Sequence, residues 1–247
     1  MDVSRRAFIR GATAAGAAGL GLNATGATGA EAEQTSGRKR RTIYFNDARH
    51  YYLFVFEPPM TMEDAWLPID ECAGTTIDTF VYGVARNDGL FYPSRVGLRF
   101  GEDIRPFSSS AYYRVWENMQ SLIDRGLDPL TVLIDRAHDK GMDFFASLRM
   151  AGHATMDPKH RLAEGGRALA HPEVRDHQFA VIKELVNDYD TEGVELDFAA
   201  SPGGMPKFLR KEDVKEYPPV MTEFVRKITE MARRRSGRPA QIGARVY

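Results

Sequence analysis

The chain has 247 residues, 33 Lys and Arg against 34 Asp and Glu, and 43% hydrophobic residues, enough for one domain with a substantial core. Its single cysteine, Cys72, excludes an intramolecular disulfide and a zinc site built from several thiolates. No nucleic-acid motif, P-loop or GxGxxG fingerprint occurs, no cofactor is indicated, and the runs Arg38-Lys39-Arg40-Arg41 and Arg233-Arg234-Arg235 read as solvated linker and helix-end charge.

The chain opens with Ser4-Arg5-Arg6-Ala7-Phe8-Ile9-Arg10 and continues in a Gly/Ala-rich stretch from Gly11 to Ala30 that has no acidic residue. This is the layout of a twin-arginine (Tat) export signal. The stretch carries many Gly, Ala and Thr and is too weakly apolar for a stable membrane span. The expected organisation is a signal over 1–30, a linker over 31–41 and one domain over 42–247, with Ala30 and Ala32 as alternative cleavage points. The Tat translocase is then the partner during export, and the folded domain ends in the periplasm or outside the cell.

After the linker the chain alternates strand-like and helix-like segments, the pattern of an α/β domain with a parallel sheet. Thr42–Phe45 and Ile77–Ala85 read as the first two strands, with Cys72 in a helix between them as a small buried side chain. The segment Arg86 to Ser110 is longer than a simple connection needs. Its Phe91, Tyr92, Phe100 and Phe107 are expected chiefly to pin the loop to the domain, although rings at a cleft can also stack on sugars. Asp128-Pro129 then caps a helix carrying Leu130, Leu133, Ile134 and Ala137. Asp143–Leu148 is the third strand, followed by a second long loop, Met150 to Ala170. His171-Pro172-Glu173 opens a helix with Ile182, Leu185 and Val186 on its core face; Gly193–Phe198 is the fourth strand, Pro218-Pro219 opens the next helix, and Gln241–Val246 is the fifth strand.

The chemistry concentrates in the fourth strand. With a period of two, Val194, Leu196 and Phe198 face one side, while Glu195 and Asp197 face the other about 6.6 Å apart along the strand. In a barrel those acids face inward, with Asp197 nearer the C-terminal mouth where substrates bind. Partial burial there raises a carboxyl pKa and suits it to donate a proton to a leaving oxygen. An internal salt bridge to Arg149 or Arg245, at neighbouring strand ends, is the competing and compatible expectation. Asn46, Asp47, Arg49 and His50 follow the first strand at the same end and are expected substrate contacts of second rank.

His171-Pro172-Glu173-Val174-Arg175-Asp176, followed by Asp188-Tyr189-Asp190-Thr191-Glu192-Gly193-Val194-Glu195-Leu196-Asp197-Phe198, resembles the family 10-like glycosyl hydrolases with a TIM barrel. Phe144 to Met150 is similar to their third strand. The resemblance implies a barrel over most of Thr42 to Tyr247 and a carbohydrate substrate or ligand. It makes Asp197 the acid of strand four. From this and the strand and loop positions, Asp197 is the expected general acid or base, Glu195 the second catalytic candidate, and Arg149, Arg245, Asn46, Asp47 and His153 the substrate-binding candidates. The chain departs from the pattern at Ala151-Gly152 and at Ala200. About five of the eight strands are found, so the barrel is expected to be truncated after strand five, without the later strand that commonly carries a second carboxylate. A non-catalytic carbohydrate-binding or vestigial module is therefore the alternative to an exported glycoside hydrolase. A weaker alternative is a metal-dependent hydrolase using His153, Asp157 and His160, whose spacing matches no strong ligand motif.

Overall fold

The computed structural model describes residues 40–47, 53–86, 89–150, 169, 171–199 and 218–246, and Arg40–Tyr247 forms one compact unit. In chain order the elements are β1 (Ile43–Asn46), α1 (Met62–Asp70), β2 (Thr79–Gly83), β3 (Ala85–Arg86), β4 (Gly89–Leu90), α2 (Ser110–Ile123), α3 (Pro129–Asp139), β5 (Asp143–Arg149), α4 (Pro172–Asn187), β6 (Gly193–Asp197), α5 (Pro218–Arg233) and β7 (Gln241–Arg245). Five of the strands make one sheet in the order β1-β2-β5-β6-β7, every neighbouring pair parallel. Parallel neighbours need crossover connections, and a helix lies in each one. Among the described residues no helix is long and apolar enough to cross a membrane.

Local signals in the sequence set the helix starts. Thr61 accepts the Asp64 amide and Asp64 accepts the Thr61 amide, each at 3.1 Å, which closes a capping box on α1. Asp128 accepts the Leu130 amide at 2.8 Å with Pro129 in the first turn of α3, the start expected from Asp128-Pro129.

The two faces of the sheet have opposite chemistry because side chains alternate along each strand. Phe80, Tyr82, Phe144, Ala146, Leu148, Val194 and Leu196 join Leu130, Leu133, Val181, Ile182, Leu185, Phe224 and Ile228 of the helices in one apolar core. Each large side chain buried there contributes about 1.5–3 kcal/mol relative to exposure. The other face carries Phe45, Asp143, Phe145, Ser147, Arg149, Glu195, Asp197 and Arg245.

That second face is concave. In a flat sheet, four inter-strand steps of about 4.8 Å would separate the edge strands β1 and β7 by roughly 19 Å. Yet the guanidinium of Arg245 on β7 lies 3.6 Å from the ring centroid of Phe45 on β1. Arg41, just before β1, likewise reaches across to Thr79 on β2 at 2.8 Å, to Asp143 on β5 and to Gln241 on β7 at 3.4 Å, with its guanidinium over the Phe145 ring. The sheet therefore curls as part of a (β/α) barrel, and side chains from its two edges meet across the interior. Gly193 is needed here, because a Cβ on it would stand 2.2 Å from the Gln241 carbonyl oxygen and 2.6 Å from the Phe145 ring.

Several expectations change at this level. The basic run around Arg41 reads as solvated linker, but Arg41 is built into the floor of the barrel, where an anionic partner and an aromatic ring outweigh its sequence neighbours. Cys72 lies just past the end of α1, with its thiol 3.5 Å from the Pro68 carbonyl oxygen, and burial pushes its pKa up, so it is an inert core group. The strand expected over Ile77–Ala85 ends at Gly83, and the chain passes into the short antiparallel pair β3–β4. The pinning role expected of the loop aromatics holds: Phe91, Tyr92 and Phe100 are buried, and Glu184 of α4 accepts the Tyr92 hydroxyl (3.0 Å), the Ser94 hydroxyl (2.6 Å) and the Arg95 amide (2.7 Å). The signal segment, nearly all of the linker, Arg49, His50, His153, Asp157 and His160 lie outside the described residues.

At the N-terminal end of the sheet, Glu192 ties three elements together. Its carboxylate accepts the Phe144 amide at 2.7 Å, lies 3.1 Å from His138 Nε2 of α3, and pairs with Arg238. Burial alone would raise its pKa, but these donors outweigh burial and hold the carboxyl down at about 2, against an ordinary 4.5, while the pairing raises His138. At ~1.4 kcal/mol per unit, this lowering is on the order of 3 kcal/mol of stability. A depressed carboxyl stabilises the fold above its unfolded pKa and loses that contribution as pH falls from about 4.5 towards 2. Denaturant unfolding should accordingly find Glu192→Gln less stable by about 3 kcal/mol near pH 6, with a flattened acid limb; unchanged stability would remove Glu192 from this role.

Candidate functional site

The upper rows of the concave face bring most of the candidate residues together. Arg149, Asp197 and Arg245 are register partners across β5, β6 and β7. One row deeper, Ser147, Glu195 and Gly243 are aligned. Glu195 and Asp197 thus share the inward face, opposite Val194 and Leu196 in the helix-facing core, as the two-residue period predicts.

The pairing within the cluster is specific. Arg149 donates to Asp47 Oδ2 at 2.6 Å, which ties the top of β5 to the end of β1. Arg245 donates to Glu195 Oε1 at 2.5 Å, and the Ser147 hydroxyl donates to the same oxygen at 2.8 Å. Arg41 pairs with Asp143 at the floor. Three guanidinium groups therefore face four carboxylates across the described concave surface, and Asp197 shares Arg245 with the closer Glu195. Asp197 is buried, 1% exposed; its Oδ1 accepts the Ala199 amide at 3.0 Å, and Arg245 Nη1 stands off at 3.9 Å from Oδ2.

This environment sets the proton affinity of Asp197. Burial raises its pKa, and the charge on Glu195 adds to the rise; Arg245, the Ala199 amide and Arg149 pull it down without cancelling the effect. The result is a buried carboxyl at a strand end that holds its proton more tightly than an ordinary aspartate. A group of that kind can donate a proton to a substrate oxygen placed at the mouth of the barrel.

Not every candidate joins the cluster. Asn46 is buried on the other face of β1, the face of Tyr44, because alternation turns it away when Asp47 points to Arg149. Asn46 thus ends the first strand at the expected end of the sheet, but its side chain is on the helix-facing side, whereas Asp47 reaches Arg149. Among the described residues no group of three or more His, Cys, Asp or Glu could hold a metal ion. Sequence reasoning missed Phe45 and Ser147, which position Arg245 and Glu195; both stand at inward positions of predicted strands, so the same alternation that singled out Glu195 and Asp197 could have found them.

Two open grooves lie away from this cluster: one of about 790 Å³ along Pro58–Glu63 and α2, and one of about 470 Å³ between the starts of α4 and α5. Neither is lined by any residue of the carboxylate cluster.

No family model matches the chain, and no curated protein does. Among solved structures, an α-L-fucosidase (isoenzyme 2) from Paenibacillus thiaminolyticus matches 84% of this chain and 32% of its own length, with 13% identity and a TM-score of 0.52. The glycoside hydrolase domain of PgaB (BpsB) from Bordetella bronchiseptica matches 84% of this chain and 65% of its own, with 12% identity and a TM-score of 0.49. A cycloisomaltooligosaccharide glucanotransferase from Paenibacillus sp., complexed with cycloisomaltoheptaose, matches 80% and 30%, with 13% identity and a TM-score of 0.46. The likeness of fold is to the first, of whose length this chain spans about a third. At 13% identity that likeness is one of fold alone: a parallel α/β sheet of barrel type, shared with a glycoside-cleaving enzyme.

Proposed function

We propose that this is an exported, carbohydrate-active protein of glycoside hydrolase type, in which Asp197 is the proton donor to a glycosidic oxygen. One observation carries the reading: Asp197 is an inward carboxylate, buried at a strand end with its pKa raised, whose nearest described cation, Arg245, is held closer to Glu195. Protonation of a leaving oxygen requires a carboxylic acid that keeps its proton at working pH. Arg149 and Arg245 flank Asp197 in the same row and offer donors to sugar hydroxyls, with Asp47 holding Arg149 in place. His153 is proposed as a further substrate contact. The acid form exists below the raised pKa, so activity should decline as pH climbs through it. On a panel of aryl glycosides and glycans, Asp197→Asn should lower kcat by about 10²–10⁴-fold; unchanged hydrolysis by this variant would remove Asp197 from the chemistry.

A second reading is favoured by the state of Glu195. Glycoside cleavage ordinarily uses two carboxylates, and Glu195 is engaged by Arg245 and Ser147. A module that binds carbohydrate without cleaving it would keep the cluster and lose the second group. Binding of a glycan without hydrolysis by the unaltered chain would select this reading over the first.

Export is proposed to follow the Tat route, on the strength of Arg5, Arg6, Phe8 and the Gly/Ala-rich run after them. A reporter fused to the N-terminal segment should reach the periplasm and be retained in the cytoplasm when Arg5 and Arg6 are both replaced by lysine. Export of the doubly substituted fusion at the normal level would refute the assignment.

A further inference from the structure

Arg245 pairs more closely with Glu195 than with Asp197, the residue beside it. Register sets it against Asp197, yet its guanidinium leans one row deeper, bonds Glu195 Oε1 at 2.5 Å and has its Cζ over the Phe45 ring, 3.6 Å from the centroid. Asp197, its neighbour in the row, is left at 3.9 Å. Two features hold the deep position. Glu195 is itself fixed by the Ser147 hydroxyl at 2.8 Å, and the aromatic face of Phe45 supports a guanidinium by a cation–π contact. Arg149, the other cation in the row, is engaged by Asp47 at 2.6 Å.

We propose that Glu195 is a positioning residue, which with Phe45 holds Arg245 away from Asp197 and so keeps Asp197 able to carry a proton. The inference rests on the reading of Asp197 as proton donor and changes the part played by Glu195: it acts through Arg245 and does not touch the reacting atoms. Among the described residues, the charged groups facing Asp197 are Glu195 on its own strand, Arg149 on β5 and Arg245 on β7, with Asp47 beyond Arg149. Arg149 and Arg245 are each engaged by another carboxylate, and Arg245 is the one that also forms an ion pair with Asp197, at 3.9 Å. An opposite charge that closes to full contact lowers a carboxyl pKa by about 1–3 units, so release of Arg245 should convert Asp197 from a proton carrier into the partner of a salt bridge.

The test follows the Asp197 carboxyl directly by ¹³C NMR titration of the full chain, with the signal assigned by its loss in Asp197→Asn. This readout needs no substrate, so it stands whether or not the chain cleaves a glycan. Glu195→Asp keeps the negative charge but is about 1.5 Å shorter, and it should lower the Asp197 pKa by about one unit as Arg245 moves over. Phe45→Leu keeps every charge and should shift the pKa in the same direction, which provides a second variant should the first fail to fold. In an Arg245→Met background the pKa should rise, and adding Glu195→Asp should then change nothing. An Asp197 pKa that is unmoved by Glu195→Asp and Phe45→Leu would overturn the proposal, as would an equal shift with and without Arg245. A shift in Glu195→Gln with none in Glu195→Asp would also overturn it, because Glu195 would then act through its charge alone.

Discussion

The curl of the parallel sheet is the constraint on which the rest depends. It folds one face of five strands onto itself, so that Phe45 and Arg245 from opposite edges touch and Arg41 spans four strands at the floor. Charge placed in such a space is costly unless paired. Asp143, Asp47 and Glu195 each have a close arginine, whereas among the described residues Asp197 has only a share of Arg245, at 3.9 Å. Burial outweighs that shared cation and raises the proton affinity of Asp197, so geometry and proton affinity point to the same residue.

The two ends of the sheet treat their carboxylates in opposite ways. At the N-terminal end, Glu192 collects an amide, an imidazole and a guanidinium, and its pKa falls to about 2; there the charge is permanent and structural. At the C-terminal end, Asp197 is desolvated with a single amide donor, and its pKa rises. Substrates of barrel enzymes meet the C-terminal end, whereas the N-terminal end serves stability. The same side-chain chemistry, five residues apart along one strand region, is thus divided between holding the fold and holding a proton.

Much of this was legible in the sequence, through two kinds of signal. Alternation in Gly193 to Phe198 was enough to place Glu195 and Asp197 on the inward face, and Asp128-Pro129 was enough to start α3. What escaped depended on contacts between residues far apart in the chain. Arg41 sits in a run of basic residues that looks like solvated linker, and only the curl brings Asp143 and Gln241 to it. Asn46 and Asp47 were grouped by proximity along the chain, although alternation separates them. The pairing of Arg245 with Glu195, where register would favour Asp197, is a competition that no local pattern encodes, because it is decided by a ring on the opposite edge strand.

The central claim is that the concave face around Asp197 is where carbohydrate meets this protein. A crystal structure of the chain soaked in a mixture of short oligosaccharides tests it most directly. The account predicts a sugar ring at the mouth of the barrel, with an oxygen in hydrogen-bonding reach of the Asp197 carboxyl and hydroxyls on Arg149. A sugar bound only outside the barrel, along α2 or between α4 and α5, with Asp197 untouched, would contradict it.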